Sequence, residues 1–392
     1  MLKCESAEAA ENAAYRGGKE MTMDLQQARD EIRAADEEMA KLFLRRMAAV
    51  SEVAAYKKEH GLPVFDAAQE ERVLQGRAAL IADDELRSYY VQFLRHTMDV
   101  SKQYQHRLMD GLRVAYSGVE GAFAHIAAQR IFPAAHSVPY ASFEDAYNAV
   151  TDGACDVAVL PIENSYAGEV GQVVDLMFRG SLYVSGVYDL YITQNLLGTP
   201  DATIDGVRTV LSHPQALLQC KGYLDSHGFE AHAADNTAVA AQVVAEKGDK
   251  SLAAIASADT AKLYGLKILD HDVNESRANT TRFAVFTRAQ GSPDEKREGG
   301  AFLLLFTVND EAGGLAKAIN VIAAHHFNMR VLRSRPMKNL PWHYYFYVEA
   351  EGDDTSQDGR DMLEALREVC PILKVAGHYS AAENTQQGGE TI

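Results

Sequence analysis

At Arg113 the hydrophobic pattern of the chain changes period, and this change divides the molecule. From residue 24 to about 112, apolar residues recur only at helical spacing. Leu25, Ile32 and Met39 are seven apart, and Leu42, Phe43, Met47, Val50 and Val53 continue the stripe. His60-Gly61-Leu62-Pro63 stops this first helix, expected over 24–59. Two more are expected over 66–79 and 84–112. Beyond Arg113, short apolar runs begin: Val114–Tyr116, Val157–Leu160, Leu182–Val184, Val207–Leu211, Leu252–Ile255 and Phe283–Phe286. Helical stretches over 120–131, 142–151, 214–226 and 236–247 separate them. Such alternation predicts an α/β region with largely parallel sheets.

A second break falls at QGSPDEKREGG, a charged stretch with Gly and Pro that reads as a linker over 290–300. After it come a strand over 302–308, a helix over 314–325, strands over 329–333 and 343–348, a helix over 358–369 and a strand over 372–379. The order βαββαβ is ferredoxin-like. Residues 1–22 and 381–392 are polar and are expected to be tails without a packed core. Met21 and Met23 stand just before the first helix, where translation is expected to start. The expected organisation is therefore a tail (1–22), an all-helical domain (23–111), a two-lobed α/β domain (112–289), a linker (290–300), a ferredoxin-like domain (301–380) and a second tail.

Net charge bounds the partners. At −17 the chain is unsuited to wrapping nucleic acid or lying on an anionic membrane, so an anionic ligand needs local cationic pockets. No apolar run reaches the ~20 residues of a membrane helix. The four cysteines, Cys4, Cys155, Cys220 and Cys370, are scattered, without metal-ligand spacing; a reducing cytoplasm is the expected setting. No motif calls for a metal or an organic cofactor.

Asn279-Thr280-Thr281-Arg282-Phe283 is the densest chemical signal. Hydroxyls and a guanidinium open the apolar run 283–286, a combination suited to a small anion that must lose oxygen. This pentapeptide, with YSGVEGAFAHIAA (116–128), LPIENSYAG (160–168) and SHPQALLQC (212–220), resembles the signature blocks of prephenate dehydratases over 112–289. Ala124 stands where the family usually has a hydroxyl residue. The resemblance implies two α/β lobes closing on prephenate, which loses water and carbon dioxide to give phenylpyruvate. Thr281 is then the donor to the departing hydroxyl and Arg282 the clamp on the pyruvyl carboxylate. Glu163, Asn164, Ser165, His213 and Asn279 are expected to line the cleft.

Residues 24–110 resemble the small helical chorismate mutase domain, a helix-swapped dimer in that family. Arg46 and Lys57 lie 11 residues apart, about 20° apart around a helix, and share a face. Arg29 lies 17 residues before Arg46, roughly 25 Å along the axis. It can complete such a site only from a second chain. The resemblance carries Arg29, Arg46, Lys57 and Gln105 as catalytic residues and Asp66, Glu70 and Ser101 as substrate contacts. Arginines suit the two carboxylates of chorismate, whose pericyclic rearrangement needs a held conformer and charge stabilisation but no nucleophile. Gln69 stands where that family usually has arginine.

Residues 300–380 resemble ACT domains, modules that bind amino acids, often between paired subunits. DEAGGLAKAI (310–319) and FNMRVLRSRP (327–336) carry the resemblance. It implies phenylalanine binding at Gly313, Gly314, Leu315, Asn328, Ser334, Arg335 and Pro336, with Arg333 replacing a usual glutamate. The expectation is a cytoplasmic mutase and dehydratase of phenylalanine biosynthesis, controlled by its end product, as a homodimer or a dimer of dimers. Two readings compete with it: a dehydratase whose helical domain is only a dimerisation scaffold, and a non-enzymatic two-lobed solute sensor.

Overall fold

The computed structural model describes residues 24–275, 279–290, 300–338 and 340–380. The expected tails and most of the linker, 291–299, lie outside them. The chain divides into two compact units at Met109 and Asp110.

The described residues of the first unit form three helices and no strand. Helix α1 (Leu25–Glu59) opens with a capping box: the Asp24 carboxylate accepts from the Gln27 N–H, and the Gln27 side chain accepts from the Asp24 N–H. Helix α2 (Ala67–Ala78) is capped by Asp66 and α3 spans Asp84–Asp110. The polar pattern keeps burial low. Among the described residues of this unit only Ala54, Val64 and Leu74 are buried apolar residues.

In the second unit the first lobe holds β1 (Arg113–Ser117), α4 (Phe123–Ile131), β2 (His136–Tyr140), α5 (Phe143–Thr151), β3 (Val157–Asn164), β4 (Gly168–Glu169), α6 (Gly171–Arg179) and β5 (Tyr183–Tyr191). The chain then crosses to a second lobe of β6 (Asn195–Gly198), β7 (Thr209–Ser212), α7 (Pro214–Gln219), α8 (Lys221–His227), β8 (Glu230–Ala233), α9 (Thr237–Lys247), β9 (Leu252–Ala256), α10 (Ala258–Tyr264) and β10 (Lys267–Asp270). It returns as β11 (Thr280–Thr287), inserted antiparallel between β3 and β5.

This return corrects the expectation of largely parallel sheets. Strand β1 runs parallel to β2 and β3, and β7 parallel to β8 and β9, but the crossing strands pair antiparallel in both lobes. The helix expected over 214–226 is split at Cys220, because the Gly222 N–H donates 2.7 Å to Glu275 instead of continuing the helical ladder.

The C-terminal βαββαβ module comprises β12 (Gly300–Thr307), α11 (Gly314–Ala324), β13 (Asn328–Pro336), β14 (Tyr344–Glu351), α12 (Gln357–Val369) and β15 (Leu373–Ser380). Its strands lie in the order β13-β14-β12-β15 and continue into the first lobe's sheet through β15 and β5. The join is close: a side chain at Gly377 would collide with the Val184 backbone. Every residue of β12 is buried. Phe302, Leu304 and Phe306 pack under α11 and α12, while Leu303 and Leu305 pack with Met177 and Val173 of α6. Two covered faces explain why GAFLLLFT is apolar without alternation.

Candidate active sites

A cavity of about 310 Å³ opens between the two lobes of the second unit. The antiparallel register fixes its chemistry. Thr281 of β11 stands opposite Asn164 of β3, and the next pair along, Arg282 and Glu163, projects to the other face of the sheet. Thr281 and Asn164 line the cavity. The Asn164 carboxamide is oriented by its own turn, its oxygen accepting from the N–H groups of Tyr166 (3.0 Å) and Ala167 (2.8 Å). Its Nδ2 therefore donates, to Thr281 Oγ1 at 2.9 Å and to Asn279 Oδ1 at 2.9 Å. With a lone pair of Oγ1 engaged, the Thr281 O–H is the group left to donate into the cleft.

Asn279 is buried and donates to Gln219 Oε1 at 3.0 Å. His213 caps α7, its Nδ1 accepting from the Gln215 N–H at 3.2 Å, which leaves the proton on Nε2. Ser165 is tied to β11 through Thr280 and is not among the cavity-lining residues.

Among the described residues no Lys or Arg lines this cavity, and the one carboxylate among them, Glu169, is bonded to Arg335. Three helices of nine residues or more instead bring their N-termini to the wall: α4 with Ala122, Phe123 and Ala124, α6 with Val170, and α9 with Asn236 and Thr237. Unpaired N–H groups and the positive ends of these helices suit carboxylates.

Arg282 is the main correction to the sequence reading. Its guanidinium faces away from the cleft and forms a two-pronged pair with Glu349, at 2.9 and 3.1 Å, a carboxylate only 1% exposed. Glu163 turns the same way and bonds Arg333. Strand alternation places adjacent residues on opposite faces, so the pairs 163–164 and 281–282 cannot all enter one cleft. Sequence reasoning passed over Gln215 and Gln219, although both stand in the SHPQALLQC block four apart, and over Asn236, whose capping pattern before α9 is legible.

In the helical unit Arg46 bonds the Ser101 hydroxyl and lies 3.3 Å from the Thr97 carbonyl. Gln105, one turn beyond Ser101, is buried with its Oε1 unpartnered among the described residues. Glu70 pairs with Lys102 at 2.9 Å, a cation missed in the sequence, and Lys102 lies over the Phe65 ring. Arg46, Ser101 and Gln105 are thus brought to one place. Lys57 donates to the Val64 carbonyl at 2.7 Å, and Asp66 serves as a helix cap to the Gln69 N–H. Arg29 is exposed.

Of the residues expected to hold an effector, Gly313 (φ +86°), Gly314 and Leu315 open α11. Asn328 bonds Glu351 at 2.9 Å. Ser334 and Pro336 share the exposed face of β13, whereas Arg335 turns into the dehydratase-like lobe, bonding Glu169 and Asp175. Arg335 is therefore engaged by carboxylates of the chain itself.

Fold and site together define a two-lobed α/β protein that receives a small anion in its cleft. The prephenate dehydratase family matches residues 114–291, and the chorismate mutase type II family matches residues 28–106. An arogenate dehydratase/prephenate dehydratase of Arabidopsis thaliana is 35% identical over 68% of this chain and 72% of its own. A bifunctional chorismate mutase/prephenate dehydratase of Aquifex aeolicus is 29% identical over 92% of this chain and 98% of its own. Among solved structures, prephenate dehydratase from Arthrobacter aurescens, in complex with L-Phe, aligns with a TM-score of 0.64 at 25% identity, over 70% of this chain and 91% of that one. A protein described as a quorum-quenching acylase has the same TM-score at 31% identity, over 69% of this chain and 98% of its own. The chain belongs to the prephenate dehydratase family and carries a chorismate mutase type II domain ahead of it.

Proposed function

We propose that the two catalytic domains act in sequence on one metabolite. The chain converts chorismate to prephenate in the helical domain and prephenate to phenylpyruvate, with loss of water and carbon dioxide, in the cleft. The observation that carries the dehydratase assignment is the Asn164–Thr281 pair, which frees a hydroxyl to donate in a cavity walled by helix N-termini. When the ring hydroxyl leaves, the electrons of the ring-carboxylate bond aromatise the ring and carbon dioxide departs. Thr281 supports the departing oxygen. The positive helix ends hold the pyruvyl carboxylate.

In the helical domain, Arg46, Ser101, Gln105, Lys57 and Glu70 are assigned to one chorismate site and Arg29 to the site of a second chain. Exposed apolar residues along α1, Leu25 at 67% and Ile32 at 61% among them, and the scant core of this unit support pairing with a second copy. The C-terminal module is assigned as an ACT domain that binds phenylalanine at the opening of α11 and lowers dehydratase turnover. A reducing cytoplasm is its proposed setting.

Purified protein incubated with chorismate tests the whole assignment. Chorismate loss together with phenylpyruvate formation, suppressed by phenylalanine, is the expected result. Persistent chorismate with conversion of added prephenate would reduce the helical domain to a scaffold.

A further inference from the structure

A ladder of alternating charges runs along the face of the first lobe turned away from the cavity and reaches the cavity wall at Glu169. Glu349 of β14 holds Arg282 of β11. Glu163 of β3 lies 3.8 Å from Arg282 and is bonded to Arg333 of β13. Arg333 lies 3.8 Å from Glu169, which is bonded to Arg335, and Arg335 and Lys338 both reach Asp175 at 3.0 Å. Asp189 adds a further carboxylate, 3.7 Å from Arg282. Acids outnumber bases here, and each of the three arginines is shared between two or more carboxylates.

The ladder stands one residue from the catalytic pair. Glu163 precedes Asn164 and Arg282 follows Thr281, on the same two strands and in the same register. Glu163 has two cationic partners, Arg333 and Arg282. Without Arg333, Glu163 must compete for Arg282 with Glu349, which is buried and cannot be left unpaired. Arg282 would then be drawn between Glu349, Glu163 and Asp189, and its backbone carries the preceding residue, Thr281, with it. A displacement of about 1 Å at a catalytic hydroxyl suffices to lower turnover by up to ~10²-fold.

We propose that Arg333 is a positioning residue for the dehydratase reaction: by satisfying Glu163 it leaves Arg282 to Glu349 and keeps the Asn164–Thr281 pair aimed into the cleft. This rests on reading the cleft as the dehydratase site. The C-terminal module thereby acts on catalysis through a side chain of its own, in the absence of any effector.

The test is steady-state conversion of prephenate by the full chain. Arg333→Gln removes the charge without introducing repulsion, at a partly exposed position where the fold tolerates it. The expected result is a kcat lowered about tenfold with KM within about twofold, since hydroxyl aim serves the transition state and the helix ends serve binding. Arg333→Lys should keep at least about half of the turnover. In a Glu163→Gln background, Arg333→Gln should cause no further loss, because the strained carboxylate is already gone. Wild-type turnover by Arg333→Gln, or an equal loss in the Glu163→Gln background, overturns the proposal. Thr281→Ala run alongside separates the two layers. If it keeps its turnover, the reading of the cleft is wrong and the positioning role falls with it. If it is inactive while Arg333→Gln is normal, only the positioning role fails.

Discussion

One residue decides which way a hydroxyl points. Thr281 is of interest because Asn164 donates to it, and Asn164 donates because two backbone N–H groups hold its oxygen. Thr281→Ala should lower dehydratase kcat by about 10²-fold, the order seen when one aimed donor is removed. Its melting temperature should stay close to wild type, since the site is an open cavity wall and no core is lost. Asn164→Ala combined with Thr281→Ala should cost little more than either alone, because the two act as one unit. Steady-state kinetics of the three variants checks this, and additive losses would show that Asn164 has a separate task. Three of the four signature blocks hold Thr281, Asn164, Asn279 and His213, which the fold brings together at the cavity wall. They misled for Arg282 and Glu163, since a motif gives residue order and the face each side chain takes is set by the strand's partners.

At the scale of elements, α6 joins the cavity to the C-terminal module. Its N-terminus lines the cleft at Val170, its Asp175 is bonded by Arg335, Tyr345 and Lys338, and Lys374 of β15 reaches its last carbonyls at Met177 and Gly180. Gly171 opens the helix because any side chain there would meet the Arg335 guanidinium. Burial pushes the Asp175 carboxyl up, but these partners hold it below the usual carboxylate range. Arg335→Ala leaves a buried carboxylate short of a charged partner and should cost roughly 2 kcal/mol in urea unfolding. An unchanged unfolding midpoint would show that Lys338 and Tyr345 suffice. Helix α6 itself was not legible: GQVVDLMFR is apolar enough for either a strand or a helix, and short apolar runs are ambiguous without their neighbours. The helices α1 to α3 and the βαββαβ order were legible, because their periodic runs are long or are set off by Gly and Pro.

For the whole molecule, buried protons set the alkaline limit. Burial pushes the Cys220 thiol and the Tyr116 and Tyr140 phenols up to about 12, and the Cys370 thiol to about 11. In the unfolded chain thiols ionise near 9.0 and phenols near 10.0. Folded groups keep their protons longer, so this stability is complete below about pH 9 and is lost as pH climbs through the folded values. Unfolding free energy should therefore fall from pH 9 to 11, and a flat profile would contradict it. Association sets a second limit. If Arg29 serves a partner's site, mutase activity per chain should fall on dilution while dehydratase activity per chain holds. Activity assayed across a dilution series, with light scattering to follow the dimer, decides this, and parallel behaviour of the two activities would count against a shared site.

Composition and periodicity by themselves determined the helical opening, the α/β middle and the βαββαβ end, because local hydrogen bonding and a buried face impose their period on the residues. The four motifs located the cleft. Only the tertiary structure decided that β11 returns antiparallel between β3 and β5, that Arg282 and Glu163 turn from the cleft, and that three helix N-termini stand at its wall. Those outcomes depend on which strands meet and in what register, and pairing between distant segments leaves no period in the sequence that could announce it.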